Sequence, residues 1–316
     1  MPEQQGQRIL SPMTRPARSH APRHWRPADA HLYAAWGVVL LAFALSIAWL
    51  LTKGPTGPWR WFDSAFILLI SLMSVFSAAR RLPAQNIVPA ALIILGTSAL
   101  AIATFAYYVS DPSSNSKVGF NDSFGPSILN SNDKRLLPWQ LPFLILAMTL
   151  SSRETTRLIL RPWRREKNYG LWLLGISTLL VMFICVAMEP FAIKVADWWK
   201  WQRDTANADS WHGAPWWAFA CWLTLVLVVY WFAGPWLIVK RPLSMIPDLS
   251  PVGVWLLLLV YFTLGNITKI AEGLWQAVIA AVVAAIPVCF MAWRGWKLSQ
   301  PPVTPAPAPA SSSEAA

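Results

Sequence analysis

The sequence predicts an all-α protein, a polytopic bundle of about eight transmembrane helices with both termini in the cytoplasm. Three observations predict it. Of 316 residues, 55% are hydrophobic and only 13% are charged, where a soluble domain carries about 25%. The charges are segregated, and the apolar stretches between them approach the roughly 20 residues needed to cross a bilayer as helix. Many of the 21 tryptophans sit near the ends of those stretches, at the headgroup level that amphipathic rings favour. Helix is expected over open sheet because lipid offers backbone N–H and C=O groups no partner outside their own segment.

Residues 1–30 are rich in Pro and Arg, contain no apolar run, and read as a disordered basic tail. The first apolar stretch is too long for a signal-peptide h-region and lacks a small-residue cleavage site after it, so it is expected to remain as an anchor. The expected spans within a 31–297 membrane domain are 33–52, 64–79, 87–109, 137–152, 170–192, 216–239, 252–266 and 273–293, with ends uncertain by about two to four residues. The second, fourth and seventh are short. The fourth is expected to continue as helix through Arg153, Glu154 and Arg157 toward Leu160. Asn266, Lys269 and Glu272 leave only a tight turn before the eighth. Residues 298–316 form a Pro/Ala-rich tail expected to be solvated.

With the N-terminus inside, 17 of the 26 Lys and Arg residues fall on the inner side and 9 on the outer. That excess predicts cytoplasmic termini and a multi-pass protein of the inner (plasma) membrane. The two longest connections, 110–136 and 193–215, then share the outer face. The net charge of +11 is spread over short loops beside apolar segments. It draws no basic stripe on a soluble fold, which argues against nucleic acid as a partner. Membrane lipids are the expected surroundings, and a polybasic tail permits contact with anionic ones.

Motifs of known chemistry are scarce. There is no phosphate-binding loop, dinucleotide fingerprint or zinc-helix pattern. Cys185, Cys221 and Cys289 have neither disulfide nor metal spacing and read as small buried hydrophobes. No metal or cofactor is expected. Three of the four histidines lie in or beside the basic tail. The fourth, His212, sits in an outer loop, where an interfacial hydrogen bond or a catalytic role is open to it.

Ionisable groups at membrane depth are functional candidates because burying them is costly. Glu189, in Met188-Glu189-Pro190 near the end of the fifth span, is the clearest. Pro190 removes a backbone donor and bends the chain, which can turn the carboxyl toward a cavity. An apolar site disfavours the charged form of a carboxyl and keeps a proton for donation. The alternative is a solvated carboxylate at the interface. Beyond it, six tryptophans (Trp198, Trp199, Trp201, Trp211, Trp216 and Trp217) flank a short polar loop. They form an aromatic belt, or a slot whose indole faces hold a polyene and stabilise a developing cation. In the other outer loop the Gly/Asn/Asp/Pro cluster 119–126 is expected to break regular structure, within a connection longer than a turn needs. Asp111 and Asp122 there are secondary acid candidates.

Over roughly 120–241 the chain resembles the integral-membrane carotenoid biosynthesis proteins, which include carotenoid 1',2'-hydratases. Phe124-Gly125-Pro126 looks like the family's Leu-Gly-Pro, and Pro138 and Pro142 like its paired prolines. Glu189-Pro190 resembles its acidic-Pro pair, and Trp199-Lys200-Trp201 its Trp-x-Trp. Gly213, Pro215, Phe219 and Trp222 stand at the spacing of its Gly-x-Pro…Asn-Phe-x-Gly-Trp motif. The family's Asn is Ala218 here, its second Gly is Cys221, and its upstream Glu-x-x-Gly and Phe-Gly-x-Tyr patterns are missing around 104–120. The chain is a divergent member on this reading.

The resemblance implies addition of water to the terminal double bond of a linear ψ-end carotenoid, or another long isoprenoid, without a redox cofactor. It also implies proximity to other carotenoid-pathway enzymes. Glu189 is the expected proton donor, Trp199, Trp201 and Trp216 the shield of the cation, and Asp197 or His212 the group that orients water. This requires the two long outer connections to meet and, with Glu189, to close an indole-walled slot. Two other readings compete: a non-catalytic carotenoid- or lipid-binding membrane protein, and a small-solute transporter built from discontinuous helices.

Overall fold

The computed structural model describes residues 27–53, 61–109, 116–121, 124, 127–131, 134–203, 210–238 and 248–298. Most of both expected tails lies outside these residues, although Pro27–Ala30, assigned to the N-terminal tail from sequence, already belong to the first helix. Eight long helices carry the fold: α1 Pro27–Lys53, α2 Trp61–Ala79, α3 Ala84–Val109, α4 Gln140–Ile159, α5 Tyr169–Pro190, α6 Trp216–Leu237, α7 Ser250–Ile267 and α8 Trp275–Lys297. Seven of them are long and apolar enough to cross a membrane; α4 is the exception.

The distribution of side chains is the reverse of that in a water-soluble bundle. The outer helices turn large apolar groups outward, Leu100 on α3 being 71% exposed and Trp231 on α6 80%. Contiguous apolar surface of this kind marks a membrane-facing protein. The polar residues collect instead on α4, which packs against α2, α3, α5, α7 and α8. Ser151, Ser152, Arg153, Glu154, Thr155 and Thr156 are all buried there. A charged residue at the centre of a lipid-facing helix costs about 2.5–3.5 kcal/mol on insertion scales, so the helix that carries three of them is enclosed by apolar neighbours. Hydroxyls elsewhere bond their own helix: Ser71 donates to the Ile67 carbonyl, Ser98 to Ile94 and Thr263 to Leu259, each at 2.6 Å. Such local bonding is how Ser and Thr are satisfied without water.

Small residues allow two close approaches. A side chain at Gly295 of α8 would meet the Leu158 backbone carbonyl of α4, and one at Gly265 of α7 would meet the Phe191 ring.

The two long connections carry short strands. The 110–136 connection contains strand β1 (Ser116–Phe120) and the hairpin of β2 (Ser127–Ser131) with β3 (Lys134–Pro138); among the described residues of the 119–126 cluster expected to break regular structure, only Gly119 and Phe120 lie in a strand. The 193–215 connection contains β4 (Trp199–Arg203), β5 (Ser210–Trp211) and β6 (Ala214–Pro215). β1 pairs antiparallel with β4, placing Phe120 opposite Trp199 and Val118 opposite Trp201. The two connections therefore meet at one end of the bundle. No local pattern encodes this, because the pairing joins residues about 80 positions apart.

Candidate functional site

The site grows from the way α5 ends. Pro190 has no N–H to give to the carbonyl of residue 186, four positions back. The Trp211 indole donates to that Val186 carbonyl at 3.0 Å instead, and the Asn266 amide donates to the next one, Ala187, at 2.9 Å. The free end of the helix is thus capped by side chains from two other segments, as buried backbone acceptors require. Past Pro190 the chain widens into a π-type turn, Phe191–Val195, closed by Ala196 N–H to the Phe191 carbonyl at 2.8 Å and Trp198 N–H to Ala192 at 2.7 Å. Asp197 then takes φ +50 and sends the chain into β4.

This path folds β4 back over the last turn of α5 and brings its indoles to Glu189, which is 0% exposed. Trp199 and Trp201 donate their ring N–H to Oε2 at 3.2 and 3.1 Å, and Trp222 of α6 donates to Oε1 at 2.5 Å. Trp199 and Trp201 are two apart on a strand, where their backbone positions share one face. Three donor-only rings converge on one carboxyl. The sequence pointed to these four residues separately, and the fold brings them together.

The same three indoles form part of the wall of an apolar cleft of about 440 Å³ between α3 and α6. Phe105 and Ile102 contribute from α3, Leu141 from α4 and Phe120 from β1, with Trp217, Ala218, Cys221, Leu225 and Val228 from α6. Trp217 packs edge-on against Trp201 at 5.1 Å, and Phe105 edge-on at 6.2 Å. Among the described residues no charged side chain lines the cleft, and Glu189 stands behind the indoles and is not part of the lining. Ala218 and Cys221, the two positions where the chain departs from the Asn and Gly of the motif it resembles, both face this space.

The remaining sequence candidates lie elsewhere. Asp197 is at the surface, its side chain 46% exposed and paired with Lys200 at 3.3 Å; its carbonyl accepts from the Asn121 amide at 3.0 Å, which ties the two outer connections together. His212 and Gly213 both have positive φ, +52 and +101. They form the two-residue turn between β5 and β6, for which such backbone angles are required. Ile193 lies 3.3 Å from where a Cβ on Gly213 would be. Burial and the neighbouring Lys194 push His212 below the usual imidazole range. Trp216 and Phe219 face away from the cleft, their rings 5.8 Å apart, with Trp211 6.2 Å from Trp216. Pro215 is buried as the last strand residue before α6. Phe124 stacks on Trp198 at 4.4 Å and supports the indole layer from beneath. Asp111, Asp122, Gly125 and Pro126 lie outside the described residues.

Sequence reasoning passed over the α3 side of the cleft. Ala101, Ile102 and Phe105 sit in an ordinary apolar span, and only the packing of α3 on α6 makes them part of a wall. Among the described residues no group of His, Cys, Asp and Glu is arranged to hold a metal ion. No family model, curated protein or solved structure matches the chain.

Proposed function

We propose that the protein takes the end of a long apolar polyene, of the linear ψ-end carotenoid type, into the α3–α6 cleft and adds water to its terminal double bond. The observation that carries this reading is the fully buried Glu189 carboxyl under three indole N–H donors whose rings wall an uncharged cleft. The cleft is bounded by membrane-facing helices, so a substrate insoluble in water enters it from the lipid.

In the proposed step Glu189 delivers a proton to the less substituted carbon of the terminal double bond, and the cation forms on the tertiary carbon. The indole faces of Trp199, Trp201 and Trp222 stabilise that charge through their quadrupoles. The anion left on Glu189 is held by the three N–H donors, preorganised at the place where charge develops. Water adds through its oxygen to the tertiary carbon, and the oxonium returns its proton to Glu189. One water is consumed and the acid is restored, with Glu189 serving in turn as general acid and base. For this the substrate end passes between the Trp201 and Trp222 rings, since the carboxyl lies behind them.

The position of Glu189 behind the cleft surface favours one other reading, a carotenoid- or lipid-binding protein in which the carboxyl only locks the indole wall. Expression in cells that accumulate linear carotenoids separates the two. Hydration gives a pigment heavier by one water and loses it in Glu189→Gln, with the unmodified pigment still retained by the variant. Pigment that co-purifies unchanged with the wild-type chain sinks the hydration step and leaves binding.

In the bilayer, α4 makes the eighth crossing inside the other seven, the arginine-rich end of the bundle faces the cytoplasm with both termini, and the indole end faces outward. The excess of Lys and Arg on one side supports this orientation, in the inner membrane of the cell.

A further inference from the structure

At the end of the bundle remote from the indoles, charge is left over. Tyr169 and Glu189 open and close α5, twenty residues or about 30 Å apart at helical rise. Near Tyr169, three guanidinium groups meet one carboxylate. Arg81 of the turn after α2 donates to Glu154 at 3.3 Å, Arg153 at 2.5 Å and Arg157 at 3.3 Å. Arg80 has its own acid, Asp248, at 3.2 Å. Glu154 therefore balances one of three cations, and it is 2% exposed with Arg153 at 6% and Arg81 at 7%.

Beside this cluster lies a cavity of about 350 Å³ between α4, α5 and α6. Arg153, Arg157 and Arg164 line it, with the hydroxyl-bearing Tyr169, Ser177 and Tyr230. Arg164 comes from the turn joining α4 to α5, whose one acid, Glu166, is exposed. The α6–α7 connection brings Asp248, which is taken by Arg80 and accepts from Arg81 through its carbonyl at 2.8 Å, so it leaves the cavity-lining Arg153, Arg157 and Arg164 with Glu154 as their paired acid among the described residues.

Uncompensated guanidinium groups in a low-dielectric interior are costly. Planar N–H forks match the tetrahedral oxygens of a phosphate, which Arg binds with two parallel hydrogen bonds; the Ser177 and Tyr230 hydroxyls already donate to the Leu173 and Thr149 carbonyls, so the arginines carry the recognition. We propose that this cavity binds an anionic phosphate group, carried by a lipid headgroup or free in solution, that balances the arginine surplus and clamps α4, α5 and α6 together at the membrane surface. The site is separate from the cleft and does not depend on what the cleft binds.

The test uses the full chain purified in phosphatidylcholine nanodiscs. Thermal unfolding and native mass spectrometry are followed as phosphatidylglycerol is mixed into the bilayer or inorganic phosphate into the buffer. Either anion should raise the unfolding temperature over the phosphatidylcholine baseline. Phosphatidylglycerol adducts that inorganic phosphate does not displace assign the site to a headgroup; stabilisation by inorganic phosphate alone assigns it to the soluble ion. Arg164→Gln, on the exposed rim, should weaken the effective anion by about tenfold, the loss of one charge-assisted contact. Arg165→Gln, an exposed neighbour that does not line the cavity, should leave binding unchanged. Equal losses in the two variants, or no response to either anion, overturns the proposal.

Discussion

Glu154 and Glu189 are both buried carboxyls on helices that touch, one 2% and the other 0% exposed, and their surroundings differ in kind. Glu154 is held by three cations, of which Arg81 and Arg153 are buried and Arg157 is half-buried. Glu189 is held by three neutral indole N–H groups, and among the described residues no cation pairs with it. Around Glu154 the carboxylate is the minority charge, and its removal would strand several guanidinium groups. Around Glu189 only neutral dipoles converge, so a proton can come and go without leaving another charge unbalanced. Two residues of one type thus sit in different settings: one joins helices through ion pairs, and the other meets neutral donors beside an apolar cleft, the setting on which the proposed proton transfer rests.

Substitution of the two acids tests that contrast most strongly. Glu154→Gln should cost about 3–5 kcal/mol, the penalty for breaking a buried ionic cluster from one side. Glu189→Gln should cost about 1–3 kcal/mol, the penalty for misplacing buried hydrogen bonds. Unfolding of the detergent-solubilised chain would show the order, and equal losses would erase the distinction.

The close-approach glycines sharpen the comparison with smaller effects. Gly295→Ala and Gly265→Ala should each lose about 1–3 kcal/mol through overpacking. The first presses on the Leu158 backbone near the arginines; the second presses on Phe191, one residue past Pro190. Their readouts should divide, with Gly265→Ala lowering the yield of hydrated pigment per folded protein and Gly295→Ala leaving it near wild type. If Gly295→Ala lowered it as much, the two ends would be coupled and not separate.

The smallest expected effect belongs to Trp222→Phe, which keeps an aromatic ring in the wall but removes one N–H from Glu189. A stability loss of about 1 kcal/mol follows from one hydrogen bond. Under the proposed hydration, pigment heavier by one water should fall by more than that loss of folded protein explains, because the donor would also hold the anion left by proton transfer. A fall no larger than the drop in folded protein would assign Trp222 to packing alone.

Much of this arrangement was legible in the amino-acid order. Seven helices lie close to their expected spans because hydropathy over some twenty residues is a local property that lipid enforces on its own. The polar fourth helix was also legible, since no loop signal interrupts 140–159. Glu189 and its neighbouring tryptophans stood out as an ionisable group and aromatic rings near one span end. What stayed hidden was every relation between segments. Pairing of β1 with β4 drew Gly119 and Phe120, the first two residues of the cluster expected to break regular structure, into a strand. The wall from α3, the caps on Val186 and Ala187, and the displacement of Asp197, His212 and Trp216 from the cleft all depend on which helices touch. Composition and the length of the apolar stretches determined that this chain is a membrane helix bundle, because the solvent reads each segment separately. Only the tertiary structure decided that three indoles meet one carboxyl and three arginines another, because such contacts join residues that no local force brings together.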